Sequence, residues 1–218
     1  MRISNIKKSF ENKIVLDIDD FEFRKGSVYA LVGANGSGKT TLARIMAGIT
    51  SPDSGSVSDA GVVRYMPQKS YVFRMSVVKN VLLSGKSNDR KRAGKLLDSL
   101  GILALSDAKA KRLSGGETAK CALARVLMDT CDTLILDEPC AAMDIQSTIA
   151  AEKTIKQYAE ETGCTIILIT HSIKQALRTA DYALFMADGR ICEHGSVNDL
   201  FSNPQKEETK EFLEYSSL

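Results

Sequence analysis

The five cysteines of this chain, Cys121, Cys131, Cys140, Cys164 and Cys192, form no CxxC pair, and no His/Cys grouping has the spacing of a zinc site. A zinc-held fold is therefore excluded, and the odd, scattered set reads as reduced, mostly packed thiols. No apolar run approaches the roughly 20 residues that a membrane-spanning helix needs. The first residues, MRISNIKKSFENK, lack an apolar segment, so no signal peptide is expected. Charge of one sign is missing too: 29 Lys and Arg against 27 Asp and Glu leave a net +2, which provides no field for nucleic acid or anionic lipid. Repeats, low-complexity tracts and an interdomain linker are absent. What is present is the composition of a soluble, intracellular globular protein, 44% hydrophobic and 26% charged, with 218 residues to bury one sizeable core.

Residues 1–26 read as antiparallel strands, because Ile14, Leu16 and Ile18 alternate with polar residues and Phe21 and Phe23 resume the alternation. VYALV (28–32) is a short continuous apolar run, the pattern of a strand buried on both faces, and it runs straight into a glycine-rich loop. Leu42, Ile45, Met46 and Ile49 then fall at helical spacing until SPDSG. VVRYM (62–66) is another short strand; from about 75 to 112 the chain becomes helical and basic. A helix follows LSGG, since Leu123, Val126 and Leu127 share a face. TLILD (133–137) and TIILIT (165–170) are further buried strands, separated by a helix over 145–162. YALFMADGRICEHG reads as a hairpin with Asp188-Gly189 in a primed turn. Strand–helix alternation makes the fold α/β with a mainly parallel central sheet.

Two segments look built to face phosphate. GANGSGKT fits G-x-x-x-x-G-K-[ST] between a strand and a helix, the context that motif requires. Gly33, Asn35, Gly36, Ser37 and Gly38 let backbone N–H groups, with those of Thr40 and Thr41, curl round phosphate oxygens at a helix N-terminus. Lys39 reaches the β- and γ-phosphates, and the Thr40 hydroxyl is a ligand for Mg²⁺. TLILDEP supplies the partner: Asp137, ending a hydrophobic strand, suits the metal shell, and Glu138 is placed to polarise the attacking water. The second segment is LSGGE. Ser114 and Glu117 form a capping box, S-x-x-E, which alone marks only a helix start. Gly115 and Gly116 lower helix propensity at the very turn being capped, which makes sense where a phosphate approaches the backbone. This segment has no Lys and no metal ligand of its own, so it is half a site.

In their order these motifs resemble the ATP-binding cassette ATPases, and the resemblance spans Ile3 to about Phe212: GANGSGKT, Gln68 in YMPQKS, LSGGE, LILDEP, AAMD at 141–144, and THS with His171. It implies a P-loop NTPase core with a mainly parallel sheet, a small antiparallel β subdomain (about 1–26 with parts of 55–66) and an α-helical signature subdomain (about 70–125). All lie in one domain, 1–218, without a C-terminal regulatory domain. It also implies ATP and Mg²⁺ as ligands. The LSGG segment of one subunit would close over nucleotide held by a second copy, head to tail, so each chain offers one cradle and one lid.

By the same resemblance Gln68 senses Mg²⁺ and water and couples to a partner, His171 contacts the γ-phosphate, Asp144 belongs to the loop crossing the dimer interface, and Phe10 stacks on adenine. Taken alone, Phe10 reads equally as a strand-end core residue. Glu117 stands where Gln is commoner, Lys120 where Arg is usual and Met143 where Leu is usual. None of these removes a catalytic group.

Two functions follow from this family. One is the ATPase subunit of a membrane transporter, at the inner face of the membrane through a separate permease, with a substrate-binding protein if it imports. The alternative is a soluble ATPase of repair or translation type. Repair types insert long arms between Gln68 and the signature, and translation types carry two cassettes; neither is present here. The YVFRMSVVKNV stretch resembles importers of oxyanions such as tungstate.

Overall fold

The computed structural model describes residues 1–84 and 89–216. Strands β1 (Arg2–Phe10), β2 (Lys13–Ile18) and β3 (Phe21–Glu22) pair antiparallel in the order β2-β1-β3. The chain enters a second sheet as β4 (Val28–Val32) and, after α1 (Lys39–Met46), returns to the first as β5 (Ser54–Ser58), antiparallel to β1. Then β6 (Val63–Met66) opens the far edge of the second sheet. Three helices follow, α2 (Val77–Leu82), α3 (Arg90–Ser99) and α4 (Gly115–Leu127), with short 3₁₀ turns at Leu103–Leu105 and Ala110–Arg112. The remaining elements are β7 (Thr133–Asp137), α5 (Ile145–Thr162), β8 (Thr165–Ile169), α6 (Ile173–Thr179), β9 (Tyr182–Ala187), β10 (Arg190–Ser196), α7 (Val197–Ser202) and α8 (Glu207–Ser216). The second sheet runs β10-β9-β4-β8-β7-β6, parallel except for β10.

Every residue of β4, β7 and β8 is buried, because both faces of the parallel sheet are covered. Alternation divides them between two cores. Tyr29, Leu31, Ile135, Ile167 and Ile169 pack with α1 and with Ile3, Ile6 and Leu16 of the antiparallel sheet. Val28, Ala30, Leu134, Leu136, Ile166 and Leu168 face the helices on the other side. Each fully buried aliphatic side chain contributes roughly 1.5–3 kcal/mol, so the strands that carry the site's residues are among the best anchored.

The hairpin at Asp188-Gly189 has both turn residues at positive φ, 46° and 76°, as a primed turn requires. Two expectations change. Ile14 does not share the inner face with Leu16 and Ile18; it is 68% exposed. The register of β1 against β2 slips so that Lys8 faces Leu16 while Ser9 faces Ile14, and the extra residue, Val15, breaks the alternation. Within 55–66, only the part in β5 joins the antiparallel sheet, whereas Val63–Met66 pairs in parallel with β7. All five cysteines are free thiols, four of them buried. No described helix is long and apolar enough to cross a membrane.

Candidate functional site

Parallel strands deliver their C-terminal ends to one edge of a sheet, and ligand sites collect there. Here that edge carries the loop after β4, Gln68 after β6, Asp137 and Glu138 at the end of β7, and His171 after β8. The loop Gly33–Gly38 turns directly into α1, with Gly38 at the N-cap in the left-handed region, φ 97°. A Cβ there would meet the Leu16 side chain at 2.6 Å and the Val15 carbonyl at 2.9 Å, so only glycine fits. The first turn of α1 holds no acidic residue and no side-chain cap, leaving its N–H groups for an anion.

The Lys39 side chain folds back over this loop. Its ammonium donates to the Gly33 carbonyl at 2.8 Å, the Ala34 carbonyl at 2.7 Å and the Ser37 hydroxyl at 3.3 Å. Burial pushes its pKa down, opposed by the charges of Glu138 and Asp137. Asn35, Gly36 and Thr40 are exposed, and Thr41 is half-buried.

Asp137 is fully buried. Its Oδ2 accepts a hydrogen bond from the Tyr65 hydroxyl at 3.1 Å, while Oδ1 has no partner. Burial raises its pKa, and the hydroxyls of Thr40 and Tyr65 pull it down. Burial and the neighbouring carboxylate together hold the Tyr65 phenol well above its ordinary value. A buried carboxylate oxygen left unpaired beside a hydroxyl is the donor set of a hard divalent cation that takes its remaining ligands from phosphate and water. Among the described residues no group of three or more His, Cys, Asp or Glu could hold a metal ion. A cavity of about 500 Å³ opens beside Thr40, Gln68 and Asp137.

Glu138 takes φ 49°, in the left-handed region, and its N–H donates to the Ile169 carbonyl at 3.0 Å, so it is fixed against the end of β8. Such a conformation in a residue other than glycine is retained where the surroundings over-determine it. The side chain accepts from Gln68 Nε2 at 3.1 Å, and its other oxygen pairs closely with Nε2 of His171. Three loops that are distant in sequence thus converge on one carboxylate.

The remaining candidates stand apart from this cluster. Ser114 caps α4 in a complete capping box: Glu117 Oε2 accepts from the Ser114 N–H and hydroxyl, both at 2.8 Å, and Ser114 Oγ accepts from the Glu117 N–H at 3.3 Å. These bonds lower the pKa of Glu117. The turn leans on the segment around Ala142, whose carbonyl would lie 2.9 Å from a Cβ on Gly116. Asp144 caps α5, accepting from the Ser147 N–H at 2.8 Å and its hydroxyl at 2.9 Å, and this holds its pKa down. Among the described residues neither Ser114 nor Asp144 bonds to the loop that carries Lys39. Phe10, at the end of β1, is 49% exposed with the Lys8 ammonium 5.3 Å from its ring centre, so it is no core residue.

Sequence reasoning missed Tyr65, which holds Asp137, and Gln175, which bonds the residue before His171. Tyr65 lies in a strand that was read correctly, yet no motif marks it. Its partner is far away in the chain, so no local signal could have found it.

Comparison with known proteins agrees with this geometry. The family model described as ABC transporter matches residues 16–141, more than half of the chain. A tungstate uptake system ATP-binding protein of Peptoclostridium acidaminophilum is 36% identical over 205 residues, covering 88% of this chain and 96% of its own. A molybdate/tungstate import ATP-binding protein of Pyrococcus horikoshii is 32% identical, covering all of this chain and 68% of its own. Among solved structures, a transporter described as metal-chelate type, in an inward-facing conformation, superposes with a TM-score of 0.81 at 25% identity, over 98% of this chain and 88% of its own. A bacterial Atm1-family ABC exporter with ATP bound shares the fold, with a TM-score of 0.86 at 23% identity, over all of this chain and 41% of its own. The chain belongs to the ABC transporter family, and within it is an ATP-binding subunit that hydrolyses ATP.

Proposed function

We propose that this subunit holds MgATP in the cradle of Gly33, Asn35, Gly36, Ser37, Gly38, Lys39, Thr40 and Thr41, and that a second copy closes the site head to tail with its own Ser114, Gly115, Gly116 and Glu117. Thr40, Gln68 and Asp137 hold the cation, which when bound neutralises phosphate charge. Glu138 orients and deprotonates water, His171 holds Glu138 and meets the γ-phosphate, Asp144 lies in the loop at the interface, and Phe10 stacks on adenine. The antiparallel sheet, the parallel core and the α2–α4 helices act as three subdomains of a single domain. The pair works beneath a membrane permease at the cytoplasmic face, in an import system supplied by a binding protein. Given the relatives named above, an oxyanion of the tungstate class is the cargo that fits.

One observation supports the shared site: Gln68 and His171 gather on Glu138 at the edge that carries the Lys39 loop, while among the described residues the side chains of the Ser114–Glu117 turn bond within that turn. Mixing two variants tests it. Ser114→Arg and Lys39→Ala should each be inactive alone, with ATP binding by the Ser114→Arg monomer nearly intact. Mixed in equal amounts, they should regain turnover at the one composite site that carries neither change. Loss of monomer binding in Ser114→Arg would place the segment in its own chain's fold instead.

A further inference from the structure

Gln175 is a buried amide that the proposed chemistry leaves unused. It lies on α6 at 4% exposure. Its Oε1 accepts from the Thr170 hydroxyl at 2.6 Å, and that hydroxyl accepts from the Ser172 N–H at 3.1 Å. The Gln175 N–H donates to the Ser172 hydroxyl at 3.2 Å. The bonds close a ring across the turn whose middle residue is His171. At its other end the Gln175 amide nitrogen is covered and, among the described residues, has no hydrogen-bond partner. Glu138, Cys140, Thr170, His171 and Gln175 line one cavity of about 280 Å³.

Stability alone does not account for this amide. A buried N–H left unpaired is costly, whereas an apolar residue of the same shape would leave no orphan on Gln175 itself. Loss of Gln175 alone would leave the Thr170 O–H without its acceptor, since the bond from Ser172 uses only the oxygen, but replacing both residues by apolar groups of the same shape would be nearly neutral. What the amide supplies is an acceptor that ties Thr170 to α6 and so fixes the turn that carries His171.

We infer that Gln175 is a positioning residue for ATP hydrolysis: it sets the His171 turn through Thr170 and Ser172, so that His171 Nε2 meets the Glu138 carboxylate. This rests on the reading of Glu138 and His171 as the hydrolytic pair. A displacement of the order of 1 Å at such a pair lowers rates by about 10²-fold.

The test is Gln175→Met, of similar length and apolar, compared with wild type, His171→Ala and the double variant in single-turnover assays. Expected are a kcat lower by about 10- to 100-fold, a KM for ATP within about twofold, and a melting temperature lowered by no more than the loss of one buried hydrogen bond. On the His171→Ala background the same change should cost nothing further. Thr170→Val, which removes the hydroxyl but keeps the shape, should reproduce the kcat loss, and it provides the measurement if Gln175→Met does not fold. Wild-type kcat in Gln175→Met beside an inactive His171→Ala overturns the inference and leaves the hydrolytic pair standing. A full additional loss in the double variant also overturns it. Normal turnover in His171→Ala overturns the reading of the pair itself.

Discussion

Asp137 and Glu138 are neighbours in sequence with opposite surroundings, and that contrast separates their roles. Asp137 is fully buried with a raised pKa and an unpaired oxygen, so the fold favours its neutral form and ionisation works against stability. The penalty is present above the folded pKa and disappears as pH falls through it. Asp137→Asn should therefore raise the melting temperature of the ligand-free protein at pH 7. A gain of about 1 kcal/mol would appear as roughly 2–4 °C in a chain of this size, and the advantage should fade in acid. The same variant should lose Mg²⁺-dependent ATP binding and turnover, the trade expected where a site is built at the expense of stability. Glu138 faces Gln68 and His171 rather than Tyr65 and Thr40. Glu138→Gln should keep ATP binding while turnover falls ~10²–10⁴-fold, the usual contribution of a positioned acid–base group. If Asp137→Asn retained Mg²⁺-dependent binding, or Glu138→Gln lost it, the two assignments would be reversed.

At the scale of elements, the two glycines of the signature turn make different local demands. A Cβ on Gly115 would sit 3.9 Å from the Ala142 side chain, an ordinary contact, whereas one on Gly116 would press on the Ala142 backbone carbonyl at 2.9 Å. Alanine is the better helix former by about 0.5–1 kcal/mol, so Gly115→Ala should hold or raise the melting temperature. Gly116→Ala should lower it, because backbone must move. Both should reduce hydrolysis if nucleotide from a partner approaches this turn, and equal melting shifts would contradict the geometry. Much of this framework was legible in the sequence because its signals are local. The apolar runs of β4, β7 and β8 end at Gly33, Asp137 and Thr170, and α5 lies between a capping Asp144 and a left-handed Gly163. Illegible features were those set by another segment. The bulge at Val15 depends on pairing with β1, and the placement of β6 depends on β7. The links Tyr65–Asp137 and Gln175–Thr170 join residues that no spacing rule connects.

As a whole molecule, the chain carries the start of α1, without a side-chain cap and beside the Lys39 loop, and the start of α4, closed by its own capping box. On the proposed reading the two starts serve different nucleotides, α4 being held in place by buried residues in the core shared with β7 and β8. In the proposed head-to-tail pair each copy's α4 start serves the nucleotide of the other, and ATP becomes part of their interface. Nucleotide bound more tightly by the paired state stabilises that state by mass action, and it must leave or be cleaved before the pair parts. The assembly should therefore report the state of the nucleotide directly. In sedimentation experiments the Glu138→Gln protein should run as a monomer without nucleotide, shift to a dimer with MgATP, and return to monomer with ADP. Adding Ser114→Arg should abolish the shift while ATP binding persists, because the cradle is intact and only the lid is lost. A dimer that formed equally without nucleotide would show that ATP does not hold the copies together; an ATP-induced dimer surviving Ser114→Arg would show that they meet through some other face.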